Sequence, residues 1–372
     1  MPPRLRCRKI IVMVKIAING FGRIGRTFFR YAFALPSEAL AKEGTPQIEI
    51  VAINDLGSPE NLAYLLKYDT VYGPYDKGVT TTTKNGKNYI VIGGPPSPEA
   101  SEGRQHEILV LSEKEPAKLP WKDLNIDIVV ESTGVFESYE KSKAHLDAGA
   151  KRVVITAPAK DDITPTSTPN VGEEFLKKDK ITSAASCTTN AVTPVMAVMM
   201  KEPGIKKAIL NTVHGYTATQ GLVDGPGCKD DFRRGRAAAV NIVPSSTGAA
   251  LAVTKAIPGL AGKFDGISIR VPVVCGSIID FTFIAARPTT VEEINDIFKK
   301  AARQKEWEGI LAVSEEPLVS TDIIRNPHGS IVDLTMTRVT DGDLVKVLAW
   351  YDNEWGYSAM LLKHILAVAS LL

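Results

Sequence analysis

NGFGRIGR, residues 19–26, lies between the strand-like segment Val14–Ile18 and an apolar segment whose pattern is compatible with a helix. Its glycines have the spacing Gly20-x-Gly22-x-x-Gly25, which is typical of a dinucleotide-binding loop when it joins a strand to a helix. Gly20 would make the tight turn, Gly22 would let the backbone approach a pyrophosphate, and Gly25 would let helix and strand pack closely. The N–H groups at the helix N-terminus would attract the phosphate charge. Glycines that only turn the chain are the alternative interpretation.

Asp55 supports the dinucleotide interpretation and indicates which dinucleotide is bound. It follows a second predicted strand, Ile48–Ile53. A carboxylate there can accept hydrogen bonds from both hydroxyls of an adenosine ribose, and its charge would repel a 2′-phosphate. The loop Pro36–Gln47 accounts for its distance from Gly25, which is longer than the usual ~20 residues. The sequence therefore predicts NAD rather than NADP, with a solvated turn carboxylate as the alternative.

Strands and helices alternate through the first half of the chain. Strand-like segments occur at Ile126–Val130 and Val153–Thr156, and a helix is predicted between them at Ser138–Ala148. This alternation predicts a parallel sheet with crossover connections. The segment Gly93–Glu107, which contains three prolines, is expected to be a surface loop.

The second half of the chain has a different pattern. After about residue 187, long β-rich segments alternate with loops rich in Gly, Ser and Thr, at Ala208–Val213, Gly266–Val274 and Ser277–Ala286. The apolar last helix, Ser358–Leu371, is expected to pack back on the first half. We predict an α/β fold with a Rossmann-type parallel-sheet domain and an α+β domain whose sheet is mainly antiparallel.

The composition excludes several classes of protein. The 44 basic and 42 acidic residues among 372 give no general attraction to nucleic acid or to an anionic membrane. The longest apolar run, Val192–Met200, is far shorter than the ~20 residues of a membrane-spanning helix. The basic segment 1–12 has no signal-peptide cleavage site, so we expect an N-terminal extension and a cytoplasmic protein. No metal site or disulfide framework is expected from the four cysteines, which are Cys7, Cys187, Cys228 and Cys275.

Cys187 is the candidate nucleophile. It lies in the polar turn Ser186–Asn190, before the helix-compatible Ala191–Met200, in whose first turn Pro194 would be tolerated. A helix N-terminus stabilises a thiolate and lowers the pKa of a thiol. His214 ends a predicted strand and could serve as the base for this thiol. A buried structural cysteine and a hydrogen-bonded structural histidine are the alternatives.

Two further segments indicate anion binding. Ser245–Gly248 precedes the apolar run Ala249–Val253 and would place hydroxyl and N–H groups at a helix start. Arg270 lies inside a predicted strand, where its guanidinium needs a carboxylate or a bound anion as partner. A loop contains three more arginines, Arg233, Arg234 and Arg236. They form either a second anion contact or only a solvated basic face. Two such sites beside a thiol predict a phosphorylated substrate together with free phosphate.

The sequence resembles glyceraldehyde-3-phosphate dehydrogenase from about Met13 onward. The motifs that carry the resemblance are NGFGRIGR at 19–26, SCTTN at 186–190, HGYTAT at 214–219, RAAA at 236–239, PSSTGAA at 244–250, RVP at 270–272 and WYDNEWGYS at 350–358. The resemblance implies a homotetramer in which each chain has an NAD-binding domain at 13–186, completed by 353–372, and a catalytic domain at 187–352. It implies that Cys187 attacks an aldehyde, that His214 is the general base, and that inorganic phosphate cleaves the resulting thioester.

The resemblance also implies binding roles. The inorganic-phosphate site would be formed by Ser186, Thr188, His214, Thr247 and Gly248. The substrate phosphate would be held by Thr217, Arg234 and Arg270. The dinucleotide would contact Gly20, Gly22, Arg23, Ile24, Gly25, Asp55 and, at its nicotinamide carboxamide, Asn353. Pro226 occupies a position where NAD-preferring members of the family often carry proline.

Some positions depart from the family pattern. Ala191 replaces a frequent second cysteine, Ala184 replaces a frequent asparagine, and an extra residue near 230–231 leaves Arg233 and Arg234 as rival phosphate ligands. Two other functions are considered, a related erythrose-4-phosphate dehydrogenase and a non-catalytic NAD-responsive protein that binds, for example, RNA. Neither an obligatory nucleic acid nor a membrane is expected as a partner.

Overall fold

The computed structural model describes residues 13–34, 46–93, 105–227 and 231–372. These form two β-sheets with helices packed on them. The predictions for residues 1–12, for Cys7 and Cys228, and for most of the loops at 36–47 and 93–107 lie outside the described residues. His106 and Glu107, which were expected in the second loop, instead begin a strand.

The first sheet is mostly parallel, as predicted. Its eight strands are β1 (Met13–Asn19), β2 (Gln47–Asn54), β3 (Val79–Lys84), β4 (Lys87–Ile92), β5 (His106–Leu111), β6 (Ile128–Glu131), β7 (Arg152–Ile155) and β8 (Ile181–Ser183). They lie in the order β3-β4-β5-β2-β1-β6-β7-β8, and only the β3-β4 and β4-β5 pairs are antiparallel. The chain passes from β1 to β2 on one side and later to β6 on the other. The carboxyl ends of β1 and β6 therefore form the crevice where ligands bind in such sheets.

Among the described residues, the strands of the first sheet are connected by the helices α1 (Arg23–Ala34), α2 (Pro59–Lys67) and α3 (Tyr139–Asp147). The apolar side of α1 includes the buried Phe28 and Phe29. The start of α2 is defined by Ser58, whose hydroxyl accepts a hydrogen bond from Asn61 N at 3.3 Å, and by Pro59 in the first turn.

The second sheet is mainly antiparallel, as predicted. Its seven strands are β9 (Ile205–Gly215), β10 (Val243–Ser246), β11 (Phe264–Val271), β12 (Ser277–Ala285), β13 (Leu311–Ser314), β14 (Ser330–Thr340) and β15 (Leu344–Tyr351), in the order β10-β11-β9-β12-β15-β14-β13. Its core is shared with the helices α4 (Cys187–Lys201), α5 (Ala249–Ala256) and α6 (Val291–Ala302). Alternate residues of β12, including Ile279, Phe281 and Phe283, are buried in this core.

The last helix, α7 (Trp355–Ala369), packs on the first sheet as expected. Its residues Tyr357, Leu361 and Ile365 belong to the same buried cluster as Ile16 of β1 and Phe28 of α1. Within the described residues, no helix has both the length and the apolar character required to cross a membrane.

The start of α4 differs from the prediction. The helix begins at Cys187 rather than at Ala191, so the segment expected to be a polar turn is the first helical turn. The reason is the side chain of Ser186, which accepts a hydrogen bond from Thr189 N and caps the helix four residues earlier. Pro194 consequently lies inside the helix, where it cannot donate to the carbonyl of Asn190.

His364 provides a test of how α7 is held. It is 2% exposed, with Nδ1 at 3.2 Å from Ser167 Oγ and Nε2 at 3.1 Å from Thr182 Oγ1. Burial lowers the pKa of His364 from 6.5 to about 4. As the pH falls from 6.5 toward 4, the unfolded chain binds a proton that the folded chain does not, so the free energy of unfolding falls. At pH 5 this loss should be about 2 kcal/mol.

The measurement is chemical denaturation between pH 7.5 and 4.5 at one protein concentration. His364→Gln should flatten the pH dependence of the free energy of unfolding by this amount. His106→Gln, which changes an exposed histidine, is the control. An unchanged slope in His364→Gln would contradict the expectation.

Candidate active site

The junction of β8 and α4 positions the candidate nucleophile. Ser186 is the N-cap of α4, and its hydroxyl lies 3.1 Å from Thr189 N and 2.8 Å from Thr189 Oγ1. Cys187 is therefore the first residue of the helix, at the N-terminus as predicted. Because Thr189 N is bonded to Ser186 Oγ and Asn190 N to Ser186 O, the backbone N–H groups of this turn that can donate to an anion are those of Cys187 and Thr188.

His214 is brought to this thiol by the second sheet. It lies at the carboxyl end of β9 and is almost fully buried. Its Nε2 lies 3.4 Å from Sγ of Cys187, which itself is partly buried. A thiol and an imidazole at this distance can exchange a proton directly. The sequence identifies Cys187 and His214 as separate candidates, and the structure shows that they form one pair.

The other imidazole nitrogen of His214 has two polar neighbours. Nδ1 lies 2.6 Å from Gly215 O, which only accepts, and 2.7 Å from Arg270 Nη1, which only donates. Arg270 Nη1 also lies 3.2 Å from Gly215 O. In the tautomer with the proton on Nδ1, Nε2 faces the thiol as an acceptor. Burial and the charge of Arg270 lower the pKa of His214 to about 3. The resting imidazole is therefore neutral.

The pKa of Cys187 differs from the prediction. The sequence predicts a pKa lowered by the helix N-terminus. Burial instead raises the pKa of the Cys187 thiol, while the positive charge of Arg270 acts in the opposite direction. The cost of burying a thiolate exceeds the favourable effect of these positive groups. The resting pair is therefore a thiol and a neutral imidazole.

Arg270 has the features of an anion ligand. It lies opposite His214 in the β11–β9 register, and the sequence left its partner open. Among the described residues no carboxylate bonds its guanidinium, and its buried Nε has no hydrogen-bond partner. A buried guanidinium with an unpaired donor favours a bound anion over the structural ion pair.

Arg234 is partly buried among polar groups and pairs with Asp231, its Nε lying 3.1 Å from Oδ2. Its Nη2 and Nε donate to Ser245 Oγ at 2.7 and 3.0 Å, and its Nη1 donates to Thr219 Oγ1 at 3.3 Å. Thr219 Oγ1 lies 3.0 Å from Thr217 Oγ1, so Thr217 belongs to the same cluster. Arg233 is exposed, and Arg236 pairs with Asp224 at the surface.

The other residues predicted to bind phosphate lie in two places, before α5 and at the start of α4. Thr247 and Gly248 precede α5 as expected, and Thr247 Oγ1 accepts from Ala249 N at 3.1 Å. Thr188 Oγ1 lies 2.9 Å from the hydroxyl of Tyr351, beneath the first turn of α4. The hydroxyls of Ser186 and Thr188 thus both have hydrogen-bond partners within the protein.

Two glycines of the loop are required by the fold, and the third faces open space. Gly20 has φ +93°, and a Cβ there would lie 2.6 Å from Thr133 N. A Cβ on Gly25 would lie 2.3 Å from Gly20 O, so this glycine permits the close packing of α1 on β1. A Cβ on Gly22 would meet nothing within 4 Å. The space beside Gly22 therefore fits the pyrophosphate of a dinucleotide.

Asp55 lies beside this loop. Its Oδ2 accepts from Phe21 N at 2.7 Å and its Oδ1 from Gly57 N at 2.9 Å. Each carboxylate oxygen has a second lone pair with which to accept a ribose hydroxyl. The arrangement fits the adenosine ribose of NAD.

The side chains of Arg23 and Ile24, which belong to the glycine loop, are engaged within the protein. The guanidinium of Arg23 is paired with Asp69 and with Glu354, its Nε lying 2.9 Å from Glu354 Oε1. The side chain of Ile24 packs against the buried cluster of the first sheet. Contacts of these two residues with a dinucleotide would therefore use the N–H groups at the start of α1.

Asn353 is held in one orientation. Its Oδ1 accepts from Gly276 N at 3.0 Å and from Ser277 Oγ at 2.9 Å, which leaves Nδ2 as the group available to a carboxamide. The neighbouring Asp352 is fully buried and accepts from the hydroxyl of Tyr72 at 2.8 Å. No cluster of potential metal ligands occurs among the residues that the structure describes.

Ser132 and Thr133 lie beside the glycine loop, a position that was not predicted from the sequence. They follow β6 at the crevice, where Ser132 Oγ donates to Gly20 O at 2.6 Å. Glu131, the last residue of β6, accepts from Thr133 N at 2.9 Å and from Asn19 Nδ2 at 2.6 Å. The sequence signal was present, since a strand followed by Ser-Thr-Gly can end beside the glycine loop.

Gly22 and Gly25 should respond differently to the same substitution. Gly22→Ala should weaken NAD binding at least about tenfold, because the added methyl group occupies the cofactor's space, with little change in melting temperature. Gly25→Ala should lower the melting temperature, because its Cβ would overlap a backbone oxygen. Calorimetric NAD titration and thermal melts of both variants test this. Unchanged NAD affinity in Gly22→Ala would contradict the assignment of the open space.

Comparisons with known proteins show the family of this chain. Residues 14–139 match the family model of the glyceraldehyde 3-phosphate dehydrogenase NAD binding domain, and residues 186–353 match that of its C-terminal domain. The chain is 46% identical to glyceraldehyde-3-phosphate dehydrogenase of Zymomonas mobilis over 346 residues, 93% of this chain and 95% of that one. It is also 46% identical to the Mycobacterium avium enzyme over 358 residues, 95% of this chain and 98% of that one. The chain therefore belongs to the glyceraldehyde-3-phosphate dehydrogenase family and is an NAD-dependent oxidoreductase.

Proposed function

We propose that this protein oxidises glyceraldehyde 3-phosphate with NAD and inorganic phosphate to 1,3-bisphosphoglycerate, in glycolysis and gluconeogenesis. The observation that carries the proposal is the Cys187–His214 contact of 3.4 Å beside the unpaired buried Nε of Arg270. A nucleophile and its base thus lie next to a site for an anionic group. The names of the relatives support the choice of substrate.

Cys187 and His214 would perform the covalent chemistry. Sulfur adds to the aldehyde carbon while Nε2 takes the thiol proton and returns it to the carbonyl oxygen, giving a hemithioacetal. Nε2 then removes the hydroxyl proton as the hydride leaves the same carbon, and a thioester remains on Cys187. Bound NAD supplies the hydride acceptor. A phosphate oxygen attacks the thioester, the carbon–sulfur bond breaks, and the proton on His214 restores the thiol.

Arg270 would couple substrate binding to the strength of the base. Its charge is one cause of the low pKa of His214. A substrate phosphate on Arg270 would offset that charge and raise the pKa of the imidazole. The base would then become stronger when the substrate is in place.

The residues predicted to bind phosphate form two separate anion sites. We assign the substrate phosphate to Thr217, Arg234 and Arg270. We assign inorganic phosphate to Thr247, Gly248, His214 and the first turn of α4, which includes Ser186 and Thr188. A separate binding site for inorganic phosphate at the start of α5 supports phosphorolysis of the thioester.

The dinucleotide would lie across the crevice between β1 and β6. Its pyrophosphate would contact the loop of Gly20, Gly22 and Gly25, its adenosine ribose Asp55, and its carboxamide Nδ2 of Asn353. We therefore propose an NAD-binding domain of residues 13–186 completed by 353–372, and a catalytic domain of residues 187–352. The shared buried cluster of α7 and the first sheet supports this division.

The activity test is NADH formation from glyceraldehyde 3-phosphate and NAD, with and without inorganic phosphate. Turnover should depend on phosphate, and Cys187→Ser should reduce it at least about a thousandfold, because a serine hydroxyl is a far weaker nucleophile. Cys7→Ser is the matched control. Turnover indifferent to phosphate would favour an erythrose-4-phosphate dehydrogenase. NAD binding without turnover of any aldehyde would favour a binding protein.

We also propose a homotetramer in the cytoplasm. The bacterial relatives support this location. The described residues on either side of Arg234 in the chain expose large apolar side chains to an unusual extent, 71–81%, at Leu222, Val223, Phe232, Val240 and Ile242. Such a concentration of exposed apolar surface is typical of a protein–protein interface.

Light scattering on a sizing column tests the assembly. The particle mass should be four times the 40.2 kDa of the chain. Ile242→Asp should shift it toward smaller species, because a charge in an apolar interface is costly. Val319→Asp, at an exposed apolar residue outside residues 222–242, should not. A monomeric wild type would contradict the proposal.

A further inference from the structure

The turn before the nucleophile contains a residue in an uncommon conformation. Between β8 and α4, Ala185 has φ +58°, in the left-handed region. This region is unfavourable for a residue with a Cβ and is maintained only where the surroundings impose it. Ala185 lies two positions before Cys187, so its conformation determines the direction in which α4 begins.

Most of the support for this turn comes from neighbouring residues. The hydroxyl of Ser183 accepts from Ala185 N at 3.1 Å. The side-chain amide of Asn190 donates to the carbonyls of Ala184 and Ser186, both at 2.9 Å. These contacts hold the groups on either side of the Ala185 carbonyl but not that carbonyl itself.

The carbonyl of Ala185 is bonded from a distant part of the chain. The hydroxyl of Tyr357, in the first turn of α7, donates to it at 3.0 Å. Tyr357 is buried, and burial raises the pKa of its phenol well above 10, so the hydroxyl keeps its proton. Asn353 lies just before the same helix. The bond therefore joins the nucleophile's turn to the element that carries the proposed carboxamide ligand.

We propose that Tyr357 is a positioning residue for Cys187: its hydroxyl holds the left-handed turn at Ala185 and so keeps Sγ within reach of His214. This rests on the proposed function only in taking Cys187 as the nucleophile. Without the hydroxyl the turn relaxes, and the thiol loses the base that accepts its proton. Reactivity then falls where the thiol is protonated and is unchanged where the thiol is already ionised.

The test is alkylation of Cys187 by iodoacetamide in the full-length protein, followed by mass spectrometry of the Cys187 peptide across a pH series. Tyr357→Phe should slow alkylation about tenfold at pH 7 and leave the limiting rate at high pH unchanged. Tyr75→Phe is the matched control, because the hydroxyl of Tyr75 is buried without a hydrogen-bond partner among the described residues. General loss of stability would not produce this pH signature.

A double-mutant comparison tests the strain directly. Glycine adopts the left-handed region without penalty, so Tyr357→Phe should slow alkylation less in the Ala185→Gly background than in the wild type. If Tyr357→Phe does not fold, Ser183→Ala removes the neighbouring support and should give the same pH signature. A wild-type profile in Tyr357→Phe, equal slowing in Tyr75→Phe, or an undiminished effect in the Ala185→Gly background would each overturn the proposal. Alkylation requires no aldehyde, NAD or phosphate, so an inactive wild type would contradict the proposed function without affecting this test.

Discussion

Distant parts of the chain meet at one buried carboxylate, that of Asp352, which directly precedes Asn353. No salt bridge to it occurs among the described residues, so hydrogen bonds alone offset the cost of burying its charge. The donors are the hydroxyl of Tyr72, the thiol of Cys275 and the backbone of Arg325, together with two N–H groups at the start of α7. Tyr72 belongs to the part of the chain that forms the first sheet, whereas Cys275 and Arg325 belong to the part that forms the second. Because Asn353 is the next residue, the position of its amide depends on this convergence.

Local patterns predicted the parts of the site that local geometry controls. The loop at 19–26 was identified because tight turns and close packing impose glycine at fixed spacing, and the structure places Gly20 and Gly25 under that constraint. The start of α4 was predicted four residues too late. Pro194 was taken to mark a first turn, whereas the hydroxyl of Ser186 caps the helix earlier.

Properties that depend on distant residues could not be derived from sequence patterns alone. His214 and Cys187 belong to different elements, and only the packing of α4 on the second sheet brings them together. The thiol pKa was predicted with the wrong sign because a helix terminus is visible in sequence and the extent of burial is not. The partner of Arg270 was left open for the same reason. The role of the Tyr357 hydroxyl had no sequence signal, since its acceptor is a backbone carbonyl.

The helix α7 completes the core of the first sheet, and this has a consequence for biosynthesis. A chain leaves the ribosome with its N-terminus first, so residues 13–186 emerge long before residues 355–369. Until that helix arrives, the apolar face around Phe28 and Ile16 lacks its native cover. The nascent sheet is therefore exposed to chaperones and to aggregation during about the second half of translation. Its dinucleotide crevice acquires Asn353 only near the end of synthesis, so nascent intermediates that lack this segment should bind the cofactor poorly even where their glycine loop has already formed.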